Sequence, residues 1–203
     1  MTQLKPLGSA LGWVIRQSSS VYECPWFIVR EFEVLRGASV AKYAYLDHPG
    51  SVIVVPITGN GDIVMLRCYR FTLDQWSWEV PAGTLADREG SLPEAVAAEE
   101  LREEIGAISE SIEPMGAFFM ANGSAHHTAH FYLARDVKFV SQGAPDSFED
   151  IDQVKVMSPS EVMTCIQTGV ITDGDSVLAL LLAITRLRVA SYANRVPESE
   201  VSS

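Results

Sequence analysis

Four glutamates crowd one short stretch, Glu99-Glu100-Leu101-Arg102-Glu103-Glu104-Ile105-Gly106. On a helix, Glu100 and Glu104 stand four apart and share a face, with Glu103 three residues from Glu100. Like charges so placed destabilise a bare helix. Carboxylate oxygens in such a cluster suit a hard divalent cation, Mg²⁺ or Mn²⁺. A solvated acidic face would show the same spacing, so the flanking chain has to decide between the two.

The elements around the cluster can be read from pattern. The helix runs from about Pro93 to Ile105, with Ser91 and Glu94 at capping-box spacing and Gly106 as the stop. Ala97, Leu101 and Ile105 recur at helical spacing and face the core. Before it, Phe27 to Leu35 and Val40 to Leu46 read as strands about a turn at Arg36-Gly37. Ser51 to Pro56 reads as a central strand. The Gly59-Asn60-Gly61-Asp62 turn then predicts a hairpin with Ile63 to Leu66. Ile112 to Met120, Ala129 to Ala134 and Val154 to Met157 are further strands. Gln142 to Asp150 is a polar loop. Ser158 to Glu161 opens a helix with capping-box spacing, and a last helix starts near Asp173. Residues 1–25 lack periodicity and read as a loose arm, 26–194 as one domain, and 195–203 as a frayed tail.

The chain has 203 residues and a formal net charge of −11, which argues against a broad nucleic-acid surface. An acidic site can still take a phosphate when a metal inverts the local charge. Cys24, Cys68 and Cys165 match no zinc spacing and read as free thiols of a cytoplasmic protein. No signal sequence or membrane span is apparent. His126, His127 and His130 lack the partners of a zinc set and read as loop and strand residues. No P-loop or dinucleotide fingerprint occurs.

The stretch from Gly83 through Glu100, Leu101, Glu103, Glu104, Gly106 and Ala107 resembles a Nudix box. Arg67-Cys68-Tyr69-Arg70, then Trp76-Ser77-Trp78-Glu79-Val80-Pro81-Ala82-Gly83, resembles the ADP-ribose and nucleotide-sugar pyrophosphatase branch of that superfamily. Phe148-Glu149-Asp150-Ile151 is similar to its acidic catalytic loop, and Gly169 to Asp173 to the lead-in of its last helix. Two positions depart from the box: Glu99 stands where the family has arginine, and Ser91 aligns with its first glutamate.

The resemblance implies an α/β (α+β) Nudix fold, an α/β/α sandwich with a mixed sheet and an N-terminal β extension. Residues 26–46 of that extension would serve homodimerisation. It implies Mg²⁺ (or Mn²⁺) held by Glu100, Glu104 and the Ala82 carbonyl, with Glu103 binding or orienting a second ion. Glu149 would be the catalytic base, with Asp150 as the alternative. Arg70, Trp76 and Gly83 would meet the substrate: Arg70 a diphosphate oxygen pair, Trp76 a base or sugar by stacking. The implied reaction cleaves a nucleoside diphosphate sugar to a nucleoside monophosphate and a sugar phosphate. The alternative is a catalytically weak nucleotide-binding sensor, which Glu99 would favour.

Overall fold

The computed structural model describes residues 5–86, 88, 90–145 and 149–193. In chain order they form α1 (Pro6–Ala10), β1 (Trp13–Glu23), β2 (Ile28–Arg36), β3 (Ser39–Asp47), β4 (Ser51–Pro56), β5 (Ile63–Arg70), β6 (Gln75–Glu79), β7 (Ala82–Thr84), α2 (Pro93–Ile105), β8 (Ala107–Ile108), β9 (Ser111–Phe119), β10 (Ala125–His126), β11 (Thr128–Arg135), β12 (Lys138–Phe139), β13 (Ile151–Met157), α3 (Pro159–Gln167) and α4 (Gly174–Ala193). The class is mixed α+β with mixed sheets, as the sequence predicts. The chain divides into two compact units, one of residues 1–51, 84–89 and 118–129, the other of 52–83, 90–117 and 130–203.

The first unit is the N-terminal β extension, a sheet in the order β1-β2-β3-β10. Residues 13–23 are not a loose arm: they pair antiparallel with β2 from Trp13↔Arg36 to Glu23↔Ile28. The serine-rich middle of β1 masks any apolar alternation, yet its backbone groups find partners along the whole of β2. Phe32 and Tyr45 stack with ring centroids 5.5 Å apart. With Val34 they form a small core, against which Trp13 and Ile15 pack.

β10 joins parallel to β3, His126 opposite Asp47. Asp47 bonds the His126 Nδ1 at 2.8 Å and accepts from the Arg30 Nε at 2.5 Å. Burial pushes the Asp47 carboxyl up, but these two partners outweigh it and hold it below the usual carboxylate range. Beside them the His48 and His127 rings lie 4.2 Å apart. His48 Nδ1 accepts the Gly50 N–H at 3.0 Å, and His127 Nε2 shares a hydrogen bond with the Ser51 hydroxyl at 2.9 Å.

Burial, then the neighbouring His48, drives His127 down to about 4. Between that value and its ordinary one near 6.5, the unfolded chain binds a proton that the folded chain refuses. Stability contributed here is complete above about pH 6.5 and is lost as the pH falls toward 4. A His127→Gln variant should therefore melt with a shallower fall in Tm between pH 7 and 4 than the wild type. Parallel melting curves across that range would disprove the assignment.

The second unit holds most of a sheet ordered β7-β4-β11-β9, a sheet β13-β5-β6 and the pair β12-β8. Val52 to Val55, Ile63 to Leu66, Phe131, Leu133, Leu101 and Leu180 are all buried in its core. The hairpin predicted across Gly59-Asn60-Gly61-Asp62 does not form as one sheet. β4 is flanked by β7 and β11 and has no edge left for β5, so the turn is closed by the bridge Ile57↔Ile63 and the Thr58 N–H on the Asp62 carbonyl instead of a ladder. No helix among the described residues is long and apolar enough to cross a membrane.

The predicted helix boundaries hold for α2, but its cap does not. Pro93 occupies the first helical position and makes Leu92 the N-cap, with no side-chain cap bond. Ser91 and Glu94 thereby fall one register out of a capping box. Gly106 ends the helix in the left-handed region at φ 66°. The second predicted cap is present: the Ser158 hydroxyl accepts the Glu161 N–H at 3.2 Å, opening α3. The tail 195–203 lies outside the described residues.

Candidate active site

The inward face of α2 mixes apolar and acidic residues. Val96, Ala97, Leu101 and Ile105 are buried, and so are Glu100 at 6 % and Glu104 at 5 % exposure. Glu103 is half-buried at the margin, while Glu99 and Arg102 are exposed. A solvated acidic face cannot account for two buried carboxylates one helical turn apart.

The segment after β6 lies directly over them. The Ala82 N–H donates to Glu104 Oε2 at 3.0 Å. At Gly83 the backbone comes so near Glu100 that a Cβ would sit 1.9 Å from its Oε1. Gly83 is therefore required by close approach, because any side chain would overlap the carboxylate. Glu104 is raised well above the usual glutamate range. Its burial is the main cause, followed by the charges of Glu100 and Glu149.

Several of the residues singled out in the sequence meet here. The buried Cys68 thiol, pushed up to about 11 by burial, lies in the electrostatic reach of Arg70, Glu79, Glu104 and Glu149 together. Glu149 thus comes within electrostatic reach of Glu104 although 45 positions separate them in sequence. Phe148, its neighbour in the sequence motif, lies outside the described residues. Arg70 also joins, with its guanidinium committed to Glu79. Its Nε donates to the two carboxylate oxygens at 2.9 and 3.1 Å, and its Nη2 bonds Oε2 as well. The bonds to Glu79 raise the Arg70 pKa further, so its charge is permanent. A cleft of about 300 Å³ beside this pair is lined by Arg70, Glu79, Ala82, Asp173 and Asp175 among others.

Trp76 does not join them. It alternates with Ser77 and Glu79 along β6 and so stands on the opposite strand face. There it packs edge-on to Tyr69, with centroids 5.9 Å apart, under the Arg67 guanidinium at 5.2 Å. Within one chain it is a surface aromatic rather than part of the carboxylate site.

Three contributors escaped the sequence reading. Glu79 is buried and holds Arg70. Ser176 accepts the Val80 N–H at 3.1 Å. Gly143 lets the loop lie on the end of α2, where a Cβ would sit 2.4 Å from the Glu104 carbonyl oxygen. Alternation along β6 could have flagged Glu79, which shares a face with Ser77. Nothing local marks Ser176 or Gly143, since both roles depend on contacts distant in sequence.

The donor set fits a hard divalent ion. It consists of oxygens only, two of them on buried carboxylates beneath a backbone segment shaped to the Glu100 side chain. Among the described residues no group of three or more His, Cys, Asp or Glu side chains could by itself hold a metal ion. Mg²⁺ needs no such cage, because it binds through one or two carboxylates, waters and the phosphates of its substrate.

A family model described as NUDIX domain matches residues 47–179, about two-thirds of the chain. The chain belongs to the Nudix family. Similar relatives include an ADP-ribose pyrophosphatase of Bacillus subtilis (strain 168), 26 % identical over 75 % of this chain and 80 % of the relative. Another is a methanol dehydrogenase activator of Bacillus methanolicus, 31 % identical over 72 % of this chain and 78 % of its own length. A crystal structure of an ADP compounds hydrolase superposes with a TM-score of 0.77 at 18 % identity, over 88 % of this chain and 95 % of the other, and shares the Nudix fold. Glu99, the departure from the box pattern, is exposed, whereas Glu100 and Glu104 are buried.

Proposed function

We propose that this Nudix-type hydrolase cleaves ADP-ribose or a nucleotide sugar to a nucleoside monophosphate and a sugar phosphate, with Mg²⁺ or Mn²⁺ as cofactor. The observation that carries the reading is the buried Glu100–Glu104 pair under Ala82 and Gly83, with Glu149 in its electrostatic reach. A pair of carboxylates this close and this buried is costly unless a cation joins them. ADP-ribose is favoured by the B. subtilis relative and by a second ADP-ribose pyrophosphatase, from Mycobacterium tuberculosis, 32 % identical over 61 % of this chain and 59 % of that relative.

In this reading Glu100, Glu104 and the Ala82 carbonyl hold the cation, and Glu103 orients a second one. The cation supplies charge neutralisation at the diphosphate and acidifies water. Arg70, fixed in orientation by Glu79, faces a phosphate oxygen. Glu149 takes the proton from the attacking water as the bond between phosphorus and the bridging oxygen breaks. The exposed Val14, Val40 and Tyr43 of the N-terminal strands support a homodimer. Three free cysteines suit a reducing cytoplasm.

The test is nucleoside monophosphate release from ADP-ribose, GDP-mannose, UDP-glucose and NADH with Mg²⁺ or Mn²⁺. We expect chelator-sensitive turnover of ADP-ribose or a nucleotide sugar, reduced ~100-fold or more by Glu149→Gln. Absence of metal-dependent release from every substrate, with nucleotide still raising the Tm, would replace hydrolysis by a sensor role. Unchanged turnover in Glu149→Gln would remove that residue from the mechanism.

A further inference from the structure

The backbone segment that carries Ala82 is held at both ends of a short run. The Pro81 carbonyl accepts the Val54 N–H of β4 at 2.9 Å. The Ala82 N–H is tied to Glu104 at 3.0 Å. β6 ends at Glu79, so the next N–H, that of Val80, leaves the β5 ladder while still buried. A buried N–H requires a partner. It is supplied by the hydroxyl of Ser176, 96 residues further along, at 3.1 Å.

Ser176 is itself fixed. It is 2 % exposed in the first turn of α4, and its own N–H donates to Asp173 Oδ2 at 2.8 Å. Asp173 also accepts the Val177 N–H through its backbone carbonyl at 2.9 Å. The hydroxyl therefore sits on a rigid helix start, not on a loop. It is the Ser176 side chain that reaches a backbone N–H of the site.

We propose that Ser176 is a positioning residue of the active site. By holding Val80 it sets the direction of the Ala82 carbonyl against Glu104, and through it the affinity of the site for its divalent cation. This rests on the reading that Ala82, Glu100 and Glu104 hold that cation. Groups that fix the orientation of metal ligands are worth roughly 10- to 100-fold in metal affinity or activity, and Ser176 acts on Ala82 through the backbone of Val80 and Pro81.

The test is direct titration of full-length protein with Mn²⁺ alone, read by calorimetry and by the metal's electron paramagnetic resonance. Ser176→Ala is compared with Ala179→Gly, a buried change further along α4 that weakens the same helix without touching Val80. Ser176→Ala should bind Mn²⁺ about 10-fold more weakly. It should also lose kcat with little change in KM. Ala179→Gly should lower the Tm and keep the wild-type Mn²⁺ affinity. Equal Mn²⁺ affinity in Ser176→Ala and wild type overturns the inference alone. Equal weakening in both variants also overturns it, since general destabilisation would then suffice. If wild-type protein takes up no Mn²⁺, the metal reading and this inference fall together.

Discussion

Replacing Glu104 by glutamine should stop turnover while making the metal-free protein harder to melt. Glu104 is buried one helical turn from Glu100 and feels both that charge and the charge of Glu149. Between the ordinary glutamate range and its raised value, the folded chain keeps a proton that the unfolded chain has released. Stability therefore falls as the pH rises through that window. Glutamine removes the charge and retains an oxygen to accept the Ala82 N–H. The relief is on the order of 1–2 kcal/mol, or roughly 3–8 °C in Tm for a chain of this size. Activity should drop by ~100-fold or more, because a carboxylate that would hold the cation is gone. Added Mg²⁺ should raise the Tm of the wild type and leave Glu104→Gln nearly unmoved. Melting at neutral pH with and without Mg²⁺, beside the release assay, checks all three. A variant that melts lower than wild type without metal would show that the buried pair is not strained by charge.

Gly83→Ala should be nearly as damaging through one methyl group. The new Cβ would fall 1.9 Å from Glu100 Oε1 and 2.3 Å from its Cδ, so either the carboxylate or the backbone must move. Both are placed in the cation site, and displacement by about 1 Å costs on the order of 100-fold in rate. The expected result is a folded protein with a similar circular dichroism spectrum, a rate lower by about that factor and a raised Mg²⁺ requirement. Wild-type kinetics in Gly83→Ala would mean that Glu100 does not occupy its present position in the working enzyme.

Much of this was legible in the residues. Helix α2 shows itself because its apolar positions repeat at 3.6-residue spacing and Gly106 supplies the left-handed stop. The inward aim of Glu100 and Glu104 follows from the same period, since they flank Leu101 on the buried side. The cap was misplaced because a capping box is a spacing, whereas Pro93 fixes the register by sterics. β1 was missed because an edge strand rich in serine carries little apolar alternation. The hairpin at Gly59-Asn60-Gly61-Asp62 was a local inference overridden by sheet order, for β4 already had neighbours on both sides. Trp76 was placed by motif. Alternation in β6 sends it to the other face from Glu79, a fact available once the strand is granted. Ser176 and Gly143 could not have been found, because hydrogen bonds and close approaches across long separations leave no periodic trace.

The clasp between the end of α2 and residues 140–144 bears on which changes this protein can tolerate. Gly106 accepts the N–H groups of Val140 and Ser141, Ala144 donates to the Glu103 carbonyl, and both Gly106 and Gly143 approach too closely for a Cβ. Residues 140–144 are therefore anchored to the very helix that bears Glu103 and Glu104, and the Asp150 carbonyl accepts the Tyr69 N–H at 2.9 Å. A single residue added before position 144 would dislodge the end of α2, and with it Glu103 and Glu104. An engineer grafting loops to retune substrate choice would therefore have to leave residues 140–144 as they stand, together with Glu149 and Asp150.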